Sequence, residues 1–219
     1  MQIQHLTRWV LAVVALSVAA ATAGACSGDD AKGPSEGVSN AGDYRGVLVT
    51  PPLEKPALTF TDTSGRPYDL VRETEGTVTL LYLGYTHCPD VCPMHMVDLN
   101  AVLAKLPGDV SAKIKVVFVT VDPERDTPEA LGRWLGAFNS SFIGLTPDAP
   151  TLARLLYEFG MGEPHRTDLG SGNYAVSHAA YVMAFTPDNL AHTVYPSGVT
   201  REDWAHDLTK LVKEGWKPS

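Results

Sequence analysis

The residues best able to do chemistry together are two cysteines in the run Cys88-Pro89-Asp90-Val91-Cys92-Pro93. The apolar, β-branched and aromatic stretch Val78 to Tyr85 just before them predicts a buried strand. After them, Met94, Val97, Leu99, Val102, Leu103 and Leu106 recur at helical spacing, and Pro93 suits a first helical turn. Both thiols therefore fall where a strand passes into a helix N-terminus, whose partial positive charge favours thiolate over thiol.

The remaining elements say what can join them. Leu58 to Thr61 and Tyr68 to Leu70 flank Asp62-Thr63-Ser64-Gly65-Arg66-Pro67 and predict a β-hairpin. Lys113 to Val121 predicts a second buried strand, ending at Asp122. Thr127 and Pro128 open a helix carrying Leu131, Trp134, Leu135 and Phe138. Phe142 to Thr146 is a short apolar piece, and Asp148 caps a helix from Ala149 to Phe159 that Gly160 closes. Residues 161 to 176 are rich in Gly, Pro and Asn and predict a mobile loop or a ragged hairpin. Ala179 to Thr186 and Leu190 to Tyr195 are strands, and Thr200 caps a last helix running to about Glu214.

This order predicts an α/β thioredoxin-like fold with an N-terminal β-hairpin extension and a loop/helix insertion. The first two core strands end at Cys88 and Asp122. The next begins just after His178 and runs the other way, so Cys88, Cys92, His178 and Asp122 should meet at one edge of the sheet. Two thiolates and an imidazole form a soft set of three ligands. Three suit Cu(I), whereas Zn²⁺ would want a fourth. Cysteines four apart near a helix start can grip one ion. His87, His165, His192 and His206 read as structural or surface residues.

Composition narrows the classes. The chain has 219 residues, 44% of them hydrophobic, three cysteines and a formal net charge of −8. Residues 1 to 25 join basic Arg8 to an apolar stretch, Trp9 to Ala21, and end on Ala23-Gly24-Ala25 before Cys26. They predict a lipoprotein signal peptide, with Cys26 carrying lipid and leaving Cys88 and Cys92 as the functional pair. The expected site of action is the cell membrane, lipid-anchored and facing the extracytoplasmic side. Residues 26 to 42 then form a flexible tether, and 43 to 219 the folded domain. Loss of Arg8 makes the processed chain more acidic still, which argues against nucleic acid as a partner.

Three motifs, Gly84-Tyr85-Thr86-His87-Cys88-Pro89-Asp90-Val91-Cys92-Pro93, Val121-Asp122-Pro123-Glu124-Arg125-Asp126-Thr127 and Val176-Ser177-His178, resemble the Sco/SenC family in order and spacing. The resemblance covers roughly residues 43 to 215. It implies a thioredoxin-like fold and copper, Cu(I) or also Cu(II), held by Cys88, Cys92 and His178, with Asp122 and Asp126 beside the site. It implies a metallochaperone for the dinuclear copper centre of cytochrome c oxidase subunit II; the recipient is that subunit or another cuproprotein, and a monomer is the default expectation. An upstream copper donor or a thiol–disulfide reductase would serve it. Asp126 could instead cap the following helix and Asp122 stabilise the turn before Pro123. Met94-His95-Met96 departs from the family. Soft groups there could dock copper, but the favoured expectation is that Met94 packs in the core while His95 and Met96 face solvent.

Two enzyme readings compete. A thiol–disulfide reductase could use Cys88 and Cys92 as its redox dithiol, keeping the partner's copper-site cysteines reduced. However, thioredoxin-like redox dithiols have two intervening residues rather than three, and no proline stands before Ala179 where such enzymes place theirs. A peroxidase of the peroxiredoxin type would need an arginine beside its reactive cysteine, and none can be placed.

Overall fold

The computed structural model describes residues 43–217. The signal peptide, Cys26 and the tether lie outside the described residues.

At the centre is β4 (Val78–Gly84), all seven of whose residues are buried. That explains its unbroken apolar run, since a strand covered on both faces has no polar side to alternate with. It pairs in parallel with β5 (Ile114–Thr120), which pairs in parallel with β6 (Ile143–Thr146). On its other flank runs antiparallel β9 (Tyr181–Phe185), then β10 (Leu190–Pro196). Because β9 is antiparallel, its first residue lies level with the last residues of β4 and β5. This is the shared edge expected for the cysteines and His178.

The expected hairpin is β2 (Thr59–Asp62) with β3 (Pro67–Asp69), added to the sheet through β6. An unexpected strand, β1 (Val47–Glu54), closes the far edge on β10. Pro51 and Pro52 argue against a strand there. The fold accommodates them at the sheet margin, where the register slips between Leu48 and Leu53. The eight strands thus run β1-β10-β9-β4-β5-β6-β2-β3.

The helices largely follow their end signals. A one-turn α1 (Leu70–Glu73) follows β3, and α2 (Val91–Leu103) follows the cysteine loop, with a short α3 (Gly108–Ser111) before β5. Thr127 caps α4 (Pro128–Gly136) through Ala130 N–H, and Asp148 caps α5 (Ala149–Glu158) through Thr151 N–H. Thr200 caps α6 (Arg201–Glu214), whose C-terminus meets Gly215. Arg201 of α6 bonds Asp98 of α2 at 2.8 Å, and α6 packs on both α2 and β4.

Residues 161 to 176 hold a hairpin, β7 (Arg166–Gly170) with β8 (Asn173–Val176), which forms its own two-stranded sheet. Its tip, Gly170-Ser171-Gly172, has three successive residues at positive φ, two of them glycines that adopt it without a Cβ clash. No helix among the described residues is long and apolar enough to cross a membrane.

Candidate metal centre

Strand β4 delivers the sulfurs. After Gly84 the chain turns through Tyr85, Thr86 and His87, and Cys88 N–H bonds back to the Tyr85 carbonyl at 3.2 Å. Cys92 is the second residue of α2 and wholly buried, while Cys88 stands at the lip with 8% exposure. Both are free thiols. Cys92 Sγ lies close to the strand because residue 84 is glycine. A Cβ there would come within 2.9 Å of that sulfur and 2.7 Å of the Tyr82 ring.

The imidazole comes from the other direction. His178 sits three residues before β9, half-buried, with its ring edge against Tyr85 (centroids 5.5 Å apart) and Tyr82 (5.9 Å). Nδ1 lies 3.1 Å from the Ala179 carbonyl, so it carries the proton and leaves the Nε2 lone pair free. Nε2 is 3.6 Å from Cys88 Sγ and 3.6 Å from Cys92 Sγ. Burial holds the ring's pKa below the usual histidine value, which keeps it neutral and able to ligate.

The three donor atoms lie within 4.8 Å of one another, and no other such group of His, Cys, Asp or Glu occurs among the described residues. Metal–donor bonds of about 2.0–2.3 Å, as zinc makes to these atoms, place neighbouring donors about 3.3–4.0 Å apart. The spacing therefore suits an ion, and the donors themselves select a soft one. One electrostatic expectation reverses. Burial pushes the Cys92 thiol well up, despite its place at a helix start and donors from Tyr82 and the Tyr85 backbone. Removing the sulfur from water outweighs the helix dipole. A bound cation would supply the missing stabilisation of the thiolate.

The match of residues 50–213 to the SCO1/SenC family model decides the relationship. The chain belongs to that family. A Stutzerimonas stutzeri protein whose copper binding is itself inferred is 31% identical over 147 residues, covering 67% of this chain and 71% of its own length. The zebrafish (Danio rerio) mitochondrial SCO2 homolog is 34% identical over 120 residues. That alignment covers 54% of this chain and only 43% of the zebrafish protein. Among solved structures, copper-bound ScoI of Bradyrhizobium japonicum superposes with a TM-score of 0.65 at 29% identity, covering 72% of this chain and 98% of that one. The thioredoxin-like fold is thereby confirmed.

In this SCO1/SenC member the two aspartates lie outside the ligand cluster and hold its scaffold. Asp126 is fully buried and accepts from Thr86 N–H (2.8 Å), Thr86 Oγ1 (2.6 Å) and Thr120 Oγ1 (2.7 Å). It thus ties the cysteine loop to β5 and caps no helix, a task that falls to Thr127. Asp122 does not meet the sulfurs as topology suggested. It accepts from Arg125, from Tyr174 Oη at 2.9 Å and from Arg166 at 3.5 Å, and so fastens the hairpin that precedes His178. The Arg125 guanidinium lies 3.5 Å from the Tyr174 ring centre.

Met94-His95-Met96 faces the opposite way from expectation. Met94 is 45% exposed, whereas His95 and Met96 are buried. The inward face of α2 runs Cys92, His95, Met96, Leu99 and Val102. Packing Cys92 against the sheet fixes that phase and turns apolar Met94 and Val97 outward. His95 is tolerated inside because its ring lies on Tyr82 (4.8 Å between centroids) and bonds the Ala180 backbone. Its Nε2 has no hydrogen-bond partner among the described residues. His87, expected to be a structural or surface residue, has an exposed side chain with its Nδ1 3.0 Å from Thr86 Oγ1.

Sequence reasoning missed Tyr82, Gly84 and Thr86 as parts of the site. Gly84 alone left a signal, as a glycine at the end of a buried strand, where close approach is the usual reason for one.

Proposed function

We propose that this protein is a copper metallochaperone in which Cys88, Cys92 and His178 hold a single Cu(I) ion as cargo. The observation that carries this reading is the convergence of one neutral imidazole nitrogen on two sulfurs, each 3.6 Å away. Copper named for the Stutzerimonas relative and bound in the Bradyrhizobium structure supports it. Cargo of this kind is released by ligand exchange. Cys88 at the lip and half-buried His178 are the donors an incoming thiolate can replace first, while Cys92 keeps its hold from inside.

The recipient in this reading is the dinuclear copper site of cytochrome c oxidase subunit II, with the protein held at the extracytoplasmic membrane surface through lipid on Cys26. Delivery is tested by mixing the Cu(I)-loaded protein with the soluble copper-site domain of that subunit, then separating the two and measuring metal in each. Transfer from the wild type but not from Cys88→Ser supports the reading. Copper that stays with the donor at every ratio rejects delivery. For the anchor, Cys26→Ser should move the protein from the membrane to the soluble fraction.

The two free thiols also favour a second reading, reduction of a partner's disulfide by Cys88 and Cys92. His178→Ala separates the two. It should abolish tight copper binding and leave disulfide reduction largely intact.

A further inference from the structure

Tyr82 sits in the middle of β4 among Leu81, Leu83 and Phe118, all fully buried. Phenylalanine would fill this place, and a buried hydroxyl is costly unless it is bonded. The hydroxyl's hydrogen bond among the described residues goes to Cys92 Sγ, at 3.4 Å. The ring cannot easily move to another partner. It is packed against His95 at 4.8 Å, Phe118 at 5.7 Å and the edge of His178 at 5.9 Å. Among the described residues Cys88 Sγ has no equivalent hydroxyl donor, and its side-chain nitrogen neighbour is His178 Nε2. The two sulfurs therefore differ in two ways. Cys88 is at the lip and lacks the hydroxyl, whereas Cys92 is sealed inside and has it.

We propose that Tyr82 is a positioning residue for thiol–disulfide exchange: access at the lip directs attack to Cys88, and the Tyr82 hydroxyl receives Cys92 as the buried leaving sulfur. In the oxidised protein, an incoming thiolate forms a bond to Cys88 Sγ. The Cys88–Cys92 bond breaks, and its electron pair passes to Cys92 Sγ, where the Tyr82 hydroxyl donates to the developing thiolate. A second thiolate of the same kind then attacks the mixed disulfide, releasing Cys88 and a small-molecule disulfide. Two electrons have moved from the thiols to the protein. Burial makes Cys92 a costly leaving thiolate, so a hydrogen bond that offsets part of that cost speeds the first step. A hydrogen bond to a charged acceptor is also stronger than one to a neutral acceptor. No metal takes part, so this inference and the copper reading fail separately.

The test uses the full chain, oxidised to the Cys88–Cys92 disulfide and reduced by glutathione. Samples are quenched by alkylation and mapped by mass spectrometry. The variants are Tyr82→Phe and, as control, Tyr195→Phe, which also removes a buried hydroxyl, one bonded to Asp207 at 2.8 Å. We expect glutathione on Cys88 only, reduction about five- to tenfold slower in Tyr82→Phe, and Tyr195→Phe at the wild-type rate. Near-UV circular dichroism of both variants reports whether the fold is kept. Glutathione on Cys92, an unchanged rate in Tyr82→Phe, or equal slowing in both variants would overturn the proposal.

Discussion

Cys88 and Cys92 hang from the centre of the molecule, whereas His178 arrives from its margin. The sulfur arm follows the most buried strand and is tied to the next one by a buried carboxylate with three donors. The imidazole arm follows a two-stranded hairpin outside the main sheet, with every residue of β7 exposed. A network around Asp122, Arg125, Arg166 and Tyr174 fastens it from the side. A carrier gains from this division. The loop that carries both sulfurs keeps its position, whereas the imidazole belongs to a segment with few buried contacts, the kind that opens at low cost.

Substitutions can break the comparison or sharpen it. The largest effect on stability should come from Asp126→Ala, which strands three donors around the cysteine loop. Denaturant unfolding should show a loss of about 3–5 kcal/mol. Gly84→Ala comes next, at about 1–3 kcal/mol, because its methyl group meets Tyr82, Phe118 and Cys92 Sγ at 2.7–2.9 Å. Tyr174→Phe removes only the bond to Asp122 and should cost about 1 kcal/mol or less. Its signature is local: amide exchange should quicken in β7 and β8 while β4 and β5 keep their protection. Uniform quickening across the sheet would show that the two arms are one unit. Met94→Ala should change stability by less than about 0.5 kcal/mol and leave copper affinity unaltered, since the side chain faces solvent.

The same contrast governs what could be read from the sequence. The sulfur arm was legible because strand, breaker and helix follow one another within a single stretch, and each leaves a local signal. The last helix was legible at its start, through the cap Thr200, and was expected to run to about Glu214, where it ends. Three features were hidden for different physical reasons. Pro51 and Pro52 concealed β1, since proline deters a strand everywhere except at an edge. Apolar Met94 and Val97 drew the expected inward face of α2 round by part of a turn, when Cys92 and its packing set the true phase. The role of Asp126 depends on Thr86, 40 residues earlier. A bond of that span leaves no trace in spacing. Asp122 was placed at the correct sheet edge but given the wrong neighbours, because topology fixes where a strand ends and not where its side chains turn.

The central claim is that one imidazole from the margin completes a metal site begun at the core. Its most direct test is titration of the reduced protein with Cu(I) against a competing chelator, for the wild type and His178→Ala. The account predicts one tightly held ion per wild-type chain. For the variant it predicts a loss of affinity beyond the 10–100-fold typical of supporting residues. Equal affinity in the two proteins would contradict it.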